Sequence, residues 1–252
     1  KGQFVAIGHL GKGSIAIRIL SRKDEKIDWS FWEKKLINAL SFRFRVDPKI
    51  YSSHNNCFRW IHGEGDGLPG LIIDYYGGIA VIQCHSMGMY KSRHLIGRIL
   101  AEQNLVSVDS VYVKTTDVLA SKEKTIDGLI IGKRHETEVF EHDIHYWIDI
   151  AEGQKTGFFL DQRDNRLLLR TISSGKHVLN TFCYTGGFSL NAIMGGAEYV
   201  VSIDASKRAR SMLDRNMALN GFDNNKHRSI CGDVMEYLKE QNDEVFDIIV
   251  LD

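Results

Sequence analysis

The sequence is poor in proline and cysteine, and it carries no net charge. Its 252 residues include two prolines and four cysteines, and 32 basic side chains balance 32 acidic ones. Two prolines, Pro48 and Pro69, cannot make a proline-rich linker. No two cysteines are spaced closely enough for a CxxC zinc or redox motif, which favours a reduced, cytoplasmic protein. The balanced charge excludes a uniformly basic coat for nucleic acid.

Long apolar runs are also missing. The first residues contain no hydrophobic stretch of signal-peptide length. The charge-free stretch 178–197 holds four glycines and several hydroxyl or amide side chains, so it does not indicate a membrane span. The ten histidines show no metal-ligand spacing. We therefore expect no membrane partner and no metal site.

Charge is unevenly distributed along the chain. Residues 1–49 contain eleven basic and five acidic side chains, a net charge of +6, and the remainder carries −6. Such a basic end is compatible with a module that faces phosphate groups, although a solvated surface is the more common explanation.

Three sections differ in their pattern. Residues 1–27 predict two strands, Phe4–Gly8 and Ser14–Leu20, joined by a basic, glycine-rich loop. Two strands are not stable alone, so either upstream residues complete this sheet or it leans on the next section.

Residues 28–150 predict an α+β domain. A helix capped by Asp28 runs to about Arg45, with Trp32, Leu36, Ile37 and Leu40 on one face. The other expected elements are a helix over Tyr90–Glu102, strands at Phe58–His62, Leu71–Tyr75, Ile79–Cys84 and Ser110–Lys114, and a hairpin of Thr137–Phe140 with Ile144–Ile150.

Residues 151–252 alternate between strands and helices, which predicts a doubly wound parallel sheet of the α/β class. A helix is expected to begin near Asp161, with Asp164 as its capping-box partner. The strands expected after it are Val178–Phe182, Tyr199–Ile203, Arg228–Cys231 and Phe246–Leu251, and the helices are Gly187–Met194, Ser206–Asn220 and Val234–Gln241.

The residues that follow these strands indicate the ligand, because ligands of such sheets bind beyond the carboxyl ends of the strands. The first strand leads into a glycine turn, and the next three are followed by Asp204, Asp233 and Asp252. A dinucleotide site would need G-x-G-x-x-G, whereas this turn reads Thr185-Gly186-Gly187. S-adenosylmethionine has no phosphate, but it has a ribose diol and an adenine amine that suit acidic residues.

Each of these residues also has an ordinary explanation. The two glycines can simply form a tight turn, and Asp204 can cap the following helix. Asp233 taken alone favours a helix cap. The combination of the turn with three acids at successive strand ends favours the cofactor site.

Three segments carry a family resemblance. They are residues 63–71 (GEGDGLPGL), residues 155–163 (KTGFFLDQR) and residues 180–188 (NTFCYTGGF). With them, the chain resembles the PUA-domain-bearing class I S-adenosylmethionine-dependent methyltransferases that make 5-methylcytosine in large-subunit ribosomal RNA. The resemblance covers essentially the whole chain.

The resemblance implies a fold in three parts. Residues 1–27 would be a partial, β-rich PUA-like module, residues 28–150 a central α+β domain, and residues 151–252 the first part of a Rossmann-like methyltransferase domain. Large-subunit ribosomal RNA would be the partner, and a homodimer is kept open.

The resemblance also implies a cofactor-binding set for S-adenosylmethionine. Thr181–Gly187 would lie under its methionine and ribose portions, Asp204 would hold the ribose hydroxyls, and Asp233 would face the adenine amine. The Lys155–Arg163 segment would close over the cofactor, with Lys155 or Arg163 pairing with the methionine carboxylate. The expected cofactor-binding residues are Lys155, Phe158, Arg163, Asn180, Thr181, Phe182, Tyr184, Thr185, Gly186, Gly187, Asp204 and Asp233.

Asp252 would begin the family's Asp-Pro-Pro motif beside the target base. The family's nucleophilic cysteine follows that motif and is not in this sequence, so we expect the natural chain to continue beyond Asp252. A guanine-N methyltransferase, which needs no cysteine, stays open as an alternative. A nicotinamide oxidoreductase and a non-catalytic RNA-binding protein are weaker ones.

Two further groups of residues favour ordinary roles. The four cysteines, Cys57, Cys84, Cys183 and Cys231, are interpreted as small buried hydrophobic residues. Arg163, Arg166 and Arg170 share one helical face, for which a solvated surface is slightly favoured over RNA contact.

Neutralising Lys12, Arg18, Arg22 and Lys23 together should weaken RNA binding if the basic end meets phosphates. Each lost contact should reduce the slope of log affinity against log salt by up to ~0.7–0.9. Affinity for S-adenosylmethionine, measured on the same variant, should not change. An unaltered salt slope for RNA would mean that these residues form only a solvated surface.

Overall fold

Residues 2–11, 15–115, 119, 125–240 and 245–251 are described by the structure, a computed structural model. The chain divides into two units. Unit 1 comprises Lys1–Val139 and Ile148–Leu160, and unit 2 comprises Phe140–Trp147 and Asp161–Asp252. Lys12 and Asp252, which were assigned roles from the sequence, lie outside the described residues.

Unit 1 begins with the predicted pair of strands, each a few residues later than expected. β1 (Ile7–Leu10) pairs with β2 (Ile17–Ser21) in antiparallel fashion. Leu20 is buried in the same core as the helix that follows, and the His9 ring stacks on Trp32 at a centroid distance of 6.3 Å. The strand pair therefore leans on the next section, which is one of the two arrangements predicted.

α1 (Trp29–Val46) confirms the helix predicted after Asp28. The Asp28 carboxylate accepts a hydrogen bond from the Phe31 amide at 3.3 Å, which satisfies one of the free donors at the helix start. Trp32, Leu36 and Leu40 are buried as expected. Ile37, predicted on the same face, is only half-buried.

The core of unit 1 is a five-stranded sheet. Its strands, in spatial order, are β3 (Cys57–His62), β4 (Leu71–Tyr76), β5 (Ile79–Cys84), β6 (Ser110–Val113) and β7 (Gly128–Ile131). Only β5 and β6 are parallel, because the crossover helix α2 (Met87–Glu102) joins them. Ser86 caps α2, so the helix begins three residues before the predicted Tyr90. The short β7 was not predicted.

The predicted hairpin is present as β8 (Glu136–Glu141) and β9 (Ile144–Asp149). The chain enters unit 2 within β8 and returns to unit 1 within β9. Residues 140–147 at the hairpin tip therefore belong to unit 2.

Unit 2 is built on the predicted parallel sheet. After α3 (Arg163–Ile172) come β10 (His177–Thr181), α4 (Gly187–Met194), β11 (Tyr199–Asp204), α5 (Lys207–Leu219), β12 (His227–Cys231), α6 (Val234–Glu240) and β13 (Ile248–Leu251). The spatial order is β12-β11-β10-β13, with every pairing parallel. One apolar cluster holds Leu169 of α3 and Ala192 of α4, and another holds Val234 and Tyr237 of α6.

The helix α3 begins close to the predicted Asp161, but the predicted capping box is wrong. Asp161 and Asp164 were expected to form a capping box, but Leu160–Gln162 form a 3-10 turn and the α-helix begins at Arg163. Gln162 occupies the cap position and its side chain makes no capping hydrogen bond. The tighter i to i+3 turn takes the place of the side-chain cap.

The preference for a solvated arginine face on α3 is also wrong. Arg166 is 2% exposed, and two of its nitrogens donate to the Glu141 carboxylate at 2.8 and 2.9 Å. Arg163 donates to the same carboxylate at 3.0 Å. Arg170 donates to the side chain of Asn191 and to the carbonyl of His142. The three arginines therefore hold the hairpin tip and α4.

Glu141 is ionised in this arrangement. Burial by itself would raise the pKa of its carboxyl group, but the guanidinium groups of Arg166 and Arg163 outweigh burial and lower the pKa. The stability that this group contributes is present above its unfolded pKa and is lost as the pH falls through the folded value.

Replacing Glu141 with Gln should destabilise the protein by about 3–5 kcal/mol, because Arg166 would keep a buried charge without its counter-ion. Urea denaturation followed by circular dichroism would measure the loss. Glu198→Gln is the matched control, since Glu198 is 69% exposed and its ion pair with His177 lies at the surface. Equal stabilities for the two variants would contradict the role given to Glu141.

Among the described residues, no helix is both long and apolar enough to cross a membrane.

Candidate functional site

The carboxyl ends of the parallel strands in unit 2 bring the predicted acidic residues to one edge. Thr181 of β10 pairs with Ile203 of β11, and Asp204 pairs with Cys231 of β12. Asp204 thus ends the strand next to β10, and Asp233 follows the strand after that. This confirms the predicted order of these two acids along the sheet edge.

The turn after β10 has an unusual backbone. Phe182, Tyr184 and Gly186 have φ angles of 53°, 46° and 84°, all in the left-handed region. The Cys183 amide donates to the carbonyl of Ile203 at 3.0 Å, and the Tyr184 amide donates to Asp204 Oδ2 at 2.9 Å. These two bonds fasten the turn across the end of β11.

Position 186 requires glycine for two reasons, its backbone conformation and the lack of room for a side chain. Besides its positive φ, a Cβ placed on it would lie 2.0 Å from Leu213 Cδ1. The Asn216 amide group donates to the carbonyl of Thr185 at 3.0 Å from the same helix, α5. The glycine therefore allows the turn to pack closely on α5, and α4 begins directly afterwards at Gly187.

The Asp204 carboxylate is shared between two backbone amides. Oδ2 accepts from Tyr184 and Oδ1 accepts from Ser206 at 2.8 Å. Ser206, rather than Asp204, caps α5 by accepting from the Ala209 amide. Since a carboxylate has about four acceptor positions, half-buried Asp204 retains acceptor capacity for further donors.

Asp233 does cap a helix, as the simpler interpretation held. Its Oδ1 accepts from the Glu236 amide at 2.9 Å in the first turn of α6. The side chain is exposed, so the cap does not bury the carboxylate.

A chain of polar side chains crosses the interior of unit 2 and was missed from the sequence. Asn180 donates to Ser189 Oγ at 2.8 Å, Ser189 and Ser202 are joined at 2.6 Å, and Ser202 contacts His227 Nε2 at 2.8 Å. Asn180 Oδ1 is buried and has no partner among the described residues. The available signal was Ser202, a hydroxyl within the apolar strand Val200–Ile203.

Burial makes His227 sensitive to acid. It lowers the pKa of the imidazole from 6.5 to about 4. As the pH falls below 6.5 the unfolded chain takes up the proton while the folded chain resists it. Stability is therefore lost between pH 6.5 and about 4.

His227→Gln should remove this acid sensitivity. The parent should lose about 1–3 kcal/mol of unfolding free energy over that window, after discounting for the partial exposure of the ring. Urea denaturation at several pH values would measure the difference. The exposed His94→Gln variant is the control and should follow the parent. A His227 variant that follows the parent as well would show that another group is responsible.

Three of the four cysteines are buried, as interpreted from the sequence. Burial, with the nearby Asp204 carboxylate adding to it, raises the pKa of Cys183 to about 12. Burial likewise raises the pKa of Cys84 to about 12. Cys57 is also buried, whereas Cys231 is half-buried. The thiols of Cys84 and Cys183 are therefore protonated at neutral pH.

Lys155 and Phe158 lie in unit 1, in a segment that is bonded to residues of β4. Thr156 Oγ1 donates to the buried Asp74 at 2.6 Å, and the Tyr76 hydroxyl donates to the carbonyl of Phe158 at 3.2 Å. Phe158 is buried, and Lys155 Nζ lies 4.3 Å from the centroid of the Phe159 ring. The segment GLPGLIIDYY thus anchors the segment KTGFF to the sheet of unit 1.

The described ranges contain no group of three or more His, Cys, Asp or Glu side chains placed to hold a metal ion.

Comparison with known proteins defines the class. The model of the S-adenosylmethionine-dependent methyltransferase family matches residues 122–252, just over half of the chain. The chain belongs to this family, whose cofactor is S-adenosylmethionine.

The chain is 37% identical over 256 residues to ribosomal RNA large subunit methyltransferase I of Alteromonas mediterranea, covering 96% of this chain and 63% of that protein. It thus spans about 63% of the length of the curated relatives it matches first.

Solved structures agree on the fold. A Streptococcus mutans protein assigned as an S-adenosylmethionine-dependent methyltransferase has a TM-score of 0.84 at 26% identity, covering 98% of this chain and 64% of that one. A similar structure with a TM-score of 0.85 and 26% identity was solved with SAH, over the same shares of the two chains. The tRNA m1G37 methyltransferase of M. jannaschii has a TM-score of 0.52 at 26% identity, over 66% of this chain and 50% of its own.

Proposed function

We propose that this protein transfers a methyl group from S-adenosylmethionine to large-subunit ribosomal RNA. The observation that carries the proposal is the Asp204 carboxylate, which is fastened to the glycine turn of β10 and keeps acceptor capacity at the edge of the sheet. The relatives that are named as ribosomal RNA large subunit methyltransferases support the RNA substrate.

The residues at this edge fit S-adenosylmethionine. An ionised carboxylate is a strong acceptor for paired ribose hydroxyls, and Asp204 is held in place by two backbone amides. The turn of Thr181–Gly187 would lie under the methionine and ribose portions, and exposed Asp233 would accept from the adenine amine. When bound, the cofactor supplies an electrophilic methyl group on its sulfonium sulfur.

In this proposal, buried Asn180 has a positioning role. Its amide is tied to Ser189, so it supports the strand end from within unit 2. Its Oδ1, which has no hydrogen-bond partner among the described residues, is one further buried acceptor. Asn180 would therefore hold the turn in position.

Lys155 or Arg163 is the cation proposed to pair with the methionine carboxylate, as the family resemblance implies. Arg163 is already paired with Glu141, so its charge is largely satisfied. Lys155 forms no ion pair with a carboxylate of the described residues and lies against Phe159. Phe158 is buried in unit 1 and would thereby hold the conformation of the segment around it.

Cytosine C5 is the proposed target atom, on the family resemblance. Carbon C5 is a poor nucleophile, and a thiolate that adds to C6 makes it reactive. The buried thiols of Cys84 and Cys183 are poorly suited to this step because both stay protonated. Asp252 is the residue proposed, on the resemblance, to start the base-binding motif.

A guanine ring nitrogen is the second candidate, because it needs no cysteine. The structural likeness to a tRNA m1G37 methyltransferase supports this guanine alternative. A nicotinamide oxidoreductase, in contrast, does not fit the family to which the chain belongs.

The remaining expectations belong to the same proposal. They are a partial PUA-like module over residues 1–27, a central domain over 28–150, a methyltransferase domain from 151, a cytoplasmic location and a homodimer.

Asp204→Asn should weaken the binding of S-adenosylmethionine while leaving the fold intact. Loss of the charge removes charge-assisted bonds to the ribose, each worth roughly 1.5–3 kcal/mol. Isothermal titration calorimetry would measure the affinity, and circular dichroism would verify folding. Asp223→Asn, an exposed change outside the turn, is the control. Unchanged affinity in a folded Asp204 variant would remove the central support for the cofactor site.

A further inference from the structure

A cleft lies in unit 1, and none of its lining residues is among those assigned to the cofactor. It encloses about 620 Å³, which is within the usual size range of binding sites for small molecules. We call it the Phe42 cleft; its lining residues are Lys35, Asn38, Ala39, Phe42, Arg43, Arg59, His62, Gly65 and Asp66.

An exposed aromatic ring forms one wall of the cleft. Phe42 of α1 is 48% exposed, although most aromatic side chains of this unit are packed in its core. Two guanidinium groups lie over the ring, that of Arg45 at 5.4 Å and that of Arg43 at 5.8 Å from its centroid. Unpaired nucleobases stack on exposed aromatic rings and on arginine side chains, and this cleft offers both.

Two ion pairs hold other residues of the cleft lining in place. Arg43 binds both carboxylate oxygens of Asp66 at 2.7 and 2.6 Å, and Arg59 binds both oxygens of buried Asp74 at 2.8 and 3.0 Å. These bidentate pairs fix the shape of the cleft. They also offset the charge of both arginines.

Lys35 supplies the charge that remains. It forms no ion pair with a carboxylate among the described residues. A Cβ added to Gly67 would lie 3.0 Å from Lys35 Nζ, so the ammonium group reaches over the GEGDG turn. The lining of the cleft therefore includes one positive side chain and one exposed aromatic side chain.

A smaller cleft of about 280 Å³ continues from the shared residue His62. Arg18 and His85 line it, and the side chain of Arg18 lies against Gly70. Arg18, like Lys35, forms no ion pair with a described carboxylate. The two clefts offer a path with a cation at Arg18, a cation at Lys35 and a stacking ring at Phe42.

We propose that the Phe42 cleft binds an unpaired nucleotide of the RNA substrate, with the base stacked on Phe42 and a backbone phosphate at Lys35. The proposal rests on RNA being the substrate, as proposed above. It adds a recognition site outside the cofactor-binding edge and selects single-stranded over duplex RNA, because a paired base cannot present its face to the ring.

The test compares variants of the full chain for binding to a fluorescein-labelled single-stranded 12-nucleotide RNA, measured by anisotropy. Phe42→Ala and Phe42→Leu should each weaken binding about 5- to 100-fold, since leucine keeps the apolar contact but not the stacking face. Phe42→Trp should retain binding. Lys35→Gln should reduce the salt slope by about 0.7, and the Phe42 variants should leave it unchanged.

Leu105→Ala is the matched control, because Leu105 is 45% exposed in the same unit and does not line the cleft. It should bind RNA like the parent. Equal affinities for the parent, Phe42→Ala and Phe42→Trp would overturn this proposal while leaving RNA as the substrate. So would equal affinity of the parent for the single strand and for its duplex. A parent that binds S-adenosylmethionine but no RNA would overturn both the cleft and the RNA substrate.

Discussion

The hydrogen bond from the Tyr184 amide to the Asp204 carboxylate is the constraint around which unit 2 is organised at its sheet edge. It can form because the parallel register places Thr181 opposite Ile203, so that Asp204 extends one residue past the pair. The turn contains non-glycine residues in the left-handed region, which costs about 1–2 kcal/mol for each. The bonds to β11 and the packing on α5 offset that cost, and the carboxylate is positioned before any ligand arrives.

Two buried carboxylates organise the rest of the chain in a similar way. In unit 2, Glu141 holds Arg163 and Arg166 and thereby ties the hairpin tip to α3. In unit 1, Asp74 holds Arg59 and Thr156 and thereby ties the KTGFF segment to the central sheet. Burying a carboxylate costs free energy unless a partner offsets its charge, so Glu141 and Asp74 each need the partners named above. The motif residues around Asp74 are thus explained by structure as well as by any role at a site.

The two proposals assign separate chemical tasks to two separate sets of residues. The sheet edge of unit 2 has a turn and acidic side chains, which suit a cofactor that is free of phosphate. The Phe42 cleft of unit 1 has an exposed ring and, in Lys35, a cation with no ion pair to a carboxylate of the described residues, and both suit a single-stranded nucleic acid. Cofactor affinity and RNA affinity should therefore respond to different substitutions.

The sequence by itself determined the class and most of the helices and strands. Alternating apolar strands and helices predicted the parallel sheet, and the acids after two of its strands lie together because strand ends of one polarity share an edge. Only the tertiary structure showed that the α3 arginines are paired rather than solvated. Their spacing defines one face of a helix but does not say what covers that face, and Glu141 lies 25 residues from Arg166 in the chain. The sequence also could not predict the polar chain from Asn180 to His227 or the Phe42 cleft, because each is assembled from side chains on separate elements.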